Sequence, residues 1–180
     1  VLIPDYNAKM VADRLAYIAE VANSYDRPVH IKILGDLIES FTGKNHANVW
    51  KQIDQHGMKV ALIAFDIIRD FLLSLDNLAS VRFIGGNHDR ISKKWSEDKQ
   101  GQVAYLVEGL IRRWIQGINS NFSPILLTDE HDDISYIVSH GDKKISKKDS
   151  SELVLKYGNQ DLYNVLLHAH GHEEKVLKSK

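Results

Sequence analysis

Four times along this chain an apolar, β-branched run stops abruptly in a turn of glycine, aspartate, asparagine or histidine. Val29-His30-Ile31-Lys32-Ile33-Leu34 leads into Gly35-Asp36, and Val81-Arg82-Phe83-Ile84 into Gly85-Gly86-Asn87-His88-Asp89. Ile134 to Val138 leads into Ser139-His140-Gly141-Asp142, and Val165 to Leu167 into His168-Ala169-His170-Gly171-His172. Runs of this kind read as strands, and a strand that ends in Gly-Asp or Gly-Asn hands over to a tight loop. Helical periodicity lies between them. Met10, Val11, Leu15, Ile18 and Val21 share a face over 8–24, and Val60, Ile63, Ile67 and Phe71 share one within 46–75, with a break expected near Gly57. Val103, Leu106, Leu110, Trp114 and Ile118 predict a further helix over 103–118, and Ile125 to Leu127 a short extra strand. The alternation predicts one layered α/β domain over 1–180, with chemistry gathered at the carboxyl ends of its strands.

Composition narrows the function. The 23 Lys+Arg and 24 Asp+Glu nearly cancel, which excludes a uniformly basic nucleic-acid coat but leaves room for a local basic patch. Val60 to Phe65, the longest apolar run, falls far short of the roughly 18 residues a membrane span needs. Without cysteine there is no disulfide, thiolate metal site or cysteine nucleophile, which fits a reducing, cytoplasmic compartment. Val1 to Pro4 has neither the basic start nor the apolar length of a signal peptide.

Nine histidines are the unusual count, and His88, His140, His168, His170 and His172 all fall in strand-end turns. Asp36 adds a carboxylate and Asn87 an amide oxygen. A mixed oxygen and nitrogen set without sulfur suits Mn²⁺, Fe or Zn²⁺ better than Ca²⁺. His30, His56 and His131 fit no motif and read as surface or packing residues. His46 and His168 are candidates for the rim of the same site, and Trp50, Trp95 and Trp114 read as packing residues.

In this order the turns resemble the calcineurin-like metallophosphoesterase superfamily. Gly35-Asp36-Leu37-Ile38-Glu39 matches its Gly-Asp-x-x-Asp/Glu motif, and Gly86-Asn87-His88-Asp89 its Gly-Asn-His-Asp/Glu. His140 matches its lone histidine, and Ala169-His170-Gly171-His172 its Gly-His-x-His, with alanine for the first glycine. The resemblance runs from about Leu34 to His172. The family's opening Asp-x-His is missing before Asp36: either Asp5-Tyr6-Asn7 is a departed version of it, or the first strand lies upstream of Val1. The resemblance implies a β-sandwich flanked by helices, in αββα layers, incomplete at the N-terminus or at both ends.

The resemblance also implies a mechanism. Asp36 would bridge two divalent metal ions, Mn²⁺ foremost and Fe or Zn²⁺ otherwise. Asn87, His140 and His170 would complete one site, and His172 would belong to the other. An activated water would attack a phosphoester, with His88 protonating the leaving oxygen and Asp89 orienting His88. Arg90, Lys93 and Lys94 follow one motif, and Lys143, Lys144, Lys147 and Lys148 follow another. On one cleft these cations would bind a polyanion such as DNA or RNA, which agrees with a looser similarity to phage and bacterial relatives of double-strand-break repair exonucleases. The competing expectation is a scaffold or binding module that keeps the fold without catalysis, favoured by the missing first motif.

Overall fold

The computed structural model describes residues 7–42, 55–92, 94, 96–98, 101–141 and 150–170. In chain order these form α1 (Ala8–Asn23), β1 (Val29–Ile33), α2 (Met58–Leu73), β2 (Leu78–Ile84) and α3 (Gln102–Trp114). There follow β3 (Ser120–Ser123), β4 (Leu126–His131), β5 (Ile134–Ser139), α4 (Ser150–Tyr157) and β6 (Tyr163–His168). The α/β class expected from the sequence holds.

Local chemistry sets the element ends. The Asn7 side chain accepts the Met10 amide at 3.1 Å and caps α1. Helix α2 starts directly after Gly57, where a break was expected; the stretch 46–54 lies outside the described residues. Helix α3 stops at Trp114 instead of reaching Ile118. Ile115 is extended and Gly117 left-handed, so Ile115 and Ile118 reach the core from a turn. Asp132 and Asp133 both have positive φ and make the tight hairpin turn between β4 and β5.

The strands form two three-stranded sheets. In the first, β1, β2 and β3 run parallel in the order β1-β2-β3. In the second, β5 lies between β4, to which it is antiparallel, and β6, to which it is parallel. Side chains alternate across each strand, so β1 and β2 present two different faces. Ile31, Ile33, Val81 and Phe83 meet α1, α2 and α3 through Ala19, Phe65, Ile68, Leu72, Val103, Val107 and Ile111. The opposite face meets the second sheet, and there Ile84, Leu127 and Val138 form a smaller apolar cluster with Leu34, Tyr136 and Leu167. Helix α4 packs on β5 and β6 and buries Leu153.

Strand β3 was not expected from its polar sequence, Ser-Asn-Phe-Ser. It forms because β2 offers a free edge and pairs Val81 to Ile84 with Ser120 to Ser123. Phe83 is fully buried at the centre of the larger core, whereas Tyr163 is 74% exposed. Phe83→Ala should cost about 3–5 kcal/mol in urea unfolding, and Tyr163→Ala should stay within about 0.5 kcal/mol.

Candidate metal centre

The ends of β1, β2, β5 and β6 converge. The loops after β1 and β2 touch through their glycines: a Cβ on Gly35 would sit 2.6 Å from the Gly86 nitrogen, and a Cβ on Gly86 would be driven into the Asp36 backbone nitrogen and carboxylate. Only backbones without side chains can cross this closely. The crossing brings Asp36 Oδ1 to the His88 amide, which donates to it at 2.9 Å.

Beneath the crossing lies Asp89, completely buried. Its Oδ2 accepts the amides of Asp36 and Gly86, each at 2.9 Å, and its Oδ1 accepts the amide of Leu37 at 2.7 Å. Asp89 therefore ties the two loops to each other. The group holding the His88 ring is a different one: His88 Nδ1 lies 2.7 Å from the Glu39 carbonyl oxygen and 3.5 Å from Glu39 Oε1. Burial pushes the Asp89 carboxyl up to about 6, against the pull of its amide donors. With the folded value raised, the stability Asp89 contributes is full below the usual carboxylate range and lost as pH rises through about 6.

From the second sheet, His140 enters nearly fully buried. Its Nδ1 donates to the Leu34 carbonyl at 2.7 Å, which fixes the tautomer and turns Nε2 toward the site. That Nε2 stands 2.9 Å from Asn87 Oδ1 and 3.1 Å from Asp36 Oδ2. His170 lies beside it, ring centroids 5.2 Å apart. Asp36, His140 and His170 each offer a ligand atom within 4.8 Å of the others. Burial raises the Asp36 carboxyl, but the adjoining His140 ring and the amide of His88 outweigh it and leave the group below its usual range.

The donor set tests well for a divalent cation. In the neutral imidazole, with its proton held by Leu34, the Nε2 lone pair, an amide oxygen and a carboxylate oxygen face one another, and their mutual repulsion calls for a cation among them. Two of the three ligand residues also hold strained backbone: φ is 54° at Asp36 and 64° at His170. Non-glycine residues adopt such angles at a cost of about 1–3 kcal/mol, typically where the conformation serves a site.

The structure thus brings Asp36, Asn87, His88, Asp89, His140 and His170 together; His172 lies outside the described residues. His168 takes the neighbouring position expected for it, with Nδ1 3.0 Å from Ser139 Oγ and its ring against Gly141. Burial, then the charges of His140 and His170, push its imidazole below the usual range. Of the expected substrate-binding cations, Arg90 is half-buried and Lys94 is exposed, its Nζ paired with Glu97 at 3.2 Å. Lys93, Lys143, Lys144, Lys147 and Lys148 lie outside the described residues, as do His46, Trp50 and Trp95. Trp114 packs on one side only: it is 64% exposed, with its ring 6.3 Å from that of Phe65 and 5.4 Å from the Arg69 guanidinium.

Two residues went unnoticed in the sequence. Glu39 holds His88, and its only signal was its place in the Gly-Asp-x-x-Glu motif. Asp98, buried to 1% exposure, accepts the amides of Ile91, Gly101 and Gln102 and so folds back the segment after His88. No hydrophobic pattern marks it. Among the described residues no helix is long and apolar enough to cross a membrane. Comparison with protein-family models, curated proteins and solved structures finds no match for this chain.

Gly86→Ala should displace the Asp36 loop and weaken Mn²⁺ binding at least tenfold by calorimetry, about 1.4 kcal/mol. Gly109, in mid-α3 with open space where a Cβ would go, is its control. Gly109→Ala should stabilise the fold by about 0.5–1 kcal/mol in urea unfolding and leave metal binding intact.

Proposed function

We propose that this chain is a metal-dependent phosphoester hydrolase of the calcineurin-like metallophosphoesterase type, acting on phosphodiesters, with its two facing sheets and flanking helices as the αββα sandwich of that family. The observation that carries the reading is the convergence of His140 Nε2, Asn87 Oδ1 and Asp36 Oδ2 with the His140 proton locked on Leu34. Support comes also from the order of the motifs, because each of the four turns the resemblance relies on leads to this one end of the sheets.

In this reading Asp36, Asn87, His140 and His170 would hold one divalent ion, and His172 would contribute to a second. Bound there, Mn²⁺ or a similar ion supplies Lewis acidity and brings the pKa of water down far enough to provide hydroxide at neutral pH. The chain's own residues do the rest. Because Nδ1 of His88 donates to the Glu39 carbonyl, only the imidazolium form has a proton to transfer, and that proton sits on Nε2. His88 would hand its Nε2 proton to the oxygen that leaves phosphorus, so that the leaving group departs as a neutral hydroxyl. Asp89 keeps the His88 and Asp36 loops in register for the transfer. The lysines that follow His88 and His140 in sequence favour an extended anionic substrate, DNA or RNA, over a small monoester.

The test is hydrolysis of bis-p-nitrophenyl phosphate and p-nitrophenyl phosphate with added Mn²⁺. The diester should turn over, and His88→Ala should lower kcat by about 10²–10⁴ while Mn²⁺ still binds. A folded, Mn²⁺-loaded protein that cleaves neither compound would contradict the proposal and leave the binding-module reading in its place.

A further inference from the structure

The far end of the seam between the sheets, where β1 begins and the β4–β5 hairpin turns, is closed by polar groups. His30 of β1 and His131 of β4 stack face to face, centroids 3.7 Å apart and planes 10° from parallel. His30 Nδ1 bonds Ser80 Oγ of β2 at 2.8 Å. Lys32 Nζ lies 2.8 Å from His131 Nε2, 3.2 Å from Asp129 Oδ2 and 4.2 Å from the centre of the Tyr136 ring. Arg82 Nε donates to Asp129 Oδ1 at 3.2 Å. The Lys32 and Asp129 side chains are only 8% and 9% exposed.

The pocket therefore holds two cations, Lys32 and Arg82, against one carboxylate, Asp129. Asp132, exposed in the hairpin turn, is the other carboxylate acting on His30, and solvent screens it. An ammonium only donates, so at 2.8 Å His131 Nε2 accepts from Lys32 and its own proton sits on Nδ1. A proton added at Nε2 would break that bond and set two cations against each other. His131 Nε2 also lies 3.1 Å from Asp129 Oδ2, but both Asp129 oxygens already face Lys32 or Arg82.

We propose that the His30–His131 stack, with Lys32, Asp129 and Arg82, is an acid-sensitive clasp that locks the two sheets together while His30 is neutral and releases them when His30 is protonated. The metal centre draws ligands from both sheets, so release at the far end loosens the centre as well. Burial first, then the neighbouring His131 and Lys32, hold the His30 imidazole below its ordinary 6.5, while Asp129 and Asp132 pull the other way. With the folded value lowered, the folded chain binds fewer protons than the unfolded one. The stability from neutral His30 is thus full above pH 6.5 and lost as pH falls through the folded value.

Metal-free protein tests this separately from any catalytic role. In urea unfolding between pH 8 and 5, the wild-type unfolding constant should rise by up to about tenfold per pH unit for each excluded proton. The double variant His30→Gln/His131→Gln keeps partners for Ser80 and Lys32 without titrating, and should lose that part of the acid dependence. What remains comes from histidines common to both proteins. If the double variant does not fold, ¹H–¹⁵N correlation of the wild-type imidazoles decides: His131 should carry its proton on Nδ1 at pH 7.5, and His30 should titrate below 6.5. Superimposable pH profiles for the two proteins, a proton on His131 Nε2 at pH 7.5, or ordinary titration of His30 would each overturn the clasp.

Discussion

Both ring nitrogens of His140 are engaged across the seam between the sheets, and the candidate site depends on that engagement. Nδ1 reaches back to the Leu34 carbonyl at the end of the first sheet, and Nε2 faces Asn87 and Asp36, which the same sheet supplies. A buried imidazole must satisfy both nitrogens, because an unpaired one costs about 1–3 kcal/mol, and an Nε2 lone pair that faces two oxygens is satisfied only by a cation held among them. Docking the sheets and forming the ligand group are therefore one event. The apolar cluster of Ile84, Leu127 and Val138 brings the sheets together without direction, and His140 fixes how they meet.

The loops that carry the ligands need a second constraint, because left-handed backbone at Asp36 and a glycine crossing are not stable alone. Asp89 provides it by accepting three amides from two loops, so that one buried carboxylate replaces the hydrogen bonds a regular element would have made. Asp98 acts the same way one loop further on. Buried carboxylates surrounded by amide donors are costly to place. Finding two of them around the segment after β2 marks it as the part of the fold where geometry matters most.

Much of this was legible in the sequence. The strand ends, read at Leu34, Ile84, Val138 and Leu167 and found at Ile33, Ile84, Ser139 and His168, and the α1 boundaries follow to within a residue from hydrophobic period and turn residues, which act locally. The convergence of Asp36, Asn87, His140 and His170 was also legible, because each follows a strand directly and strand ends are brought together by the sheets. What was missed depends on partners distant in sequence. β3 owes its strand to an edge of β2, and the Ile115–Ile118 turn is apolar because it packs, not because it is helical. The sequence suggested that Asp89 serves His88; in the fold it serves the backbone, since the nearest amides were offered by the other loop. His30 and His131 read as surface or packing residues, yet nothing in one strand reveals that the two rings stack or that Lys32 lies beside both His131 and Asp129.

The most direct test of the central claim is an anomalous difference map from crystals soaked in Mn²⁺. The account predicts a peak bonded to His140 Nε2 and shared with Asp36, Asn87 and His170, lost in His140→Ala. A Mn²⁺-soaked crystal with no peak there, and with a proton resolved between His140 Nε2 and Asp36, would contradict it, because the converging lone pairs would then be balanced by an imidazolium and the site would need no metal.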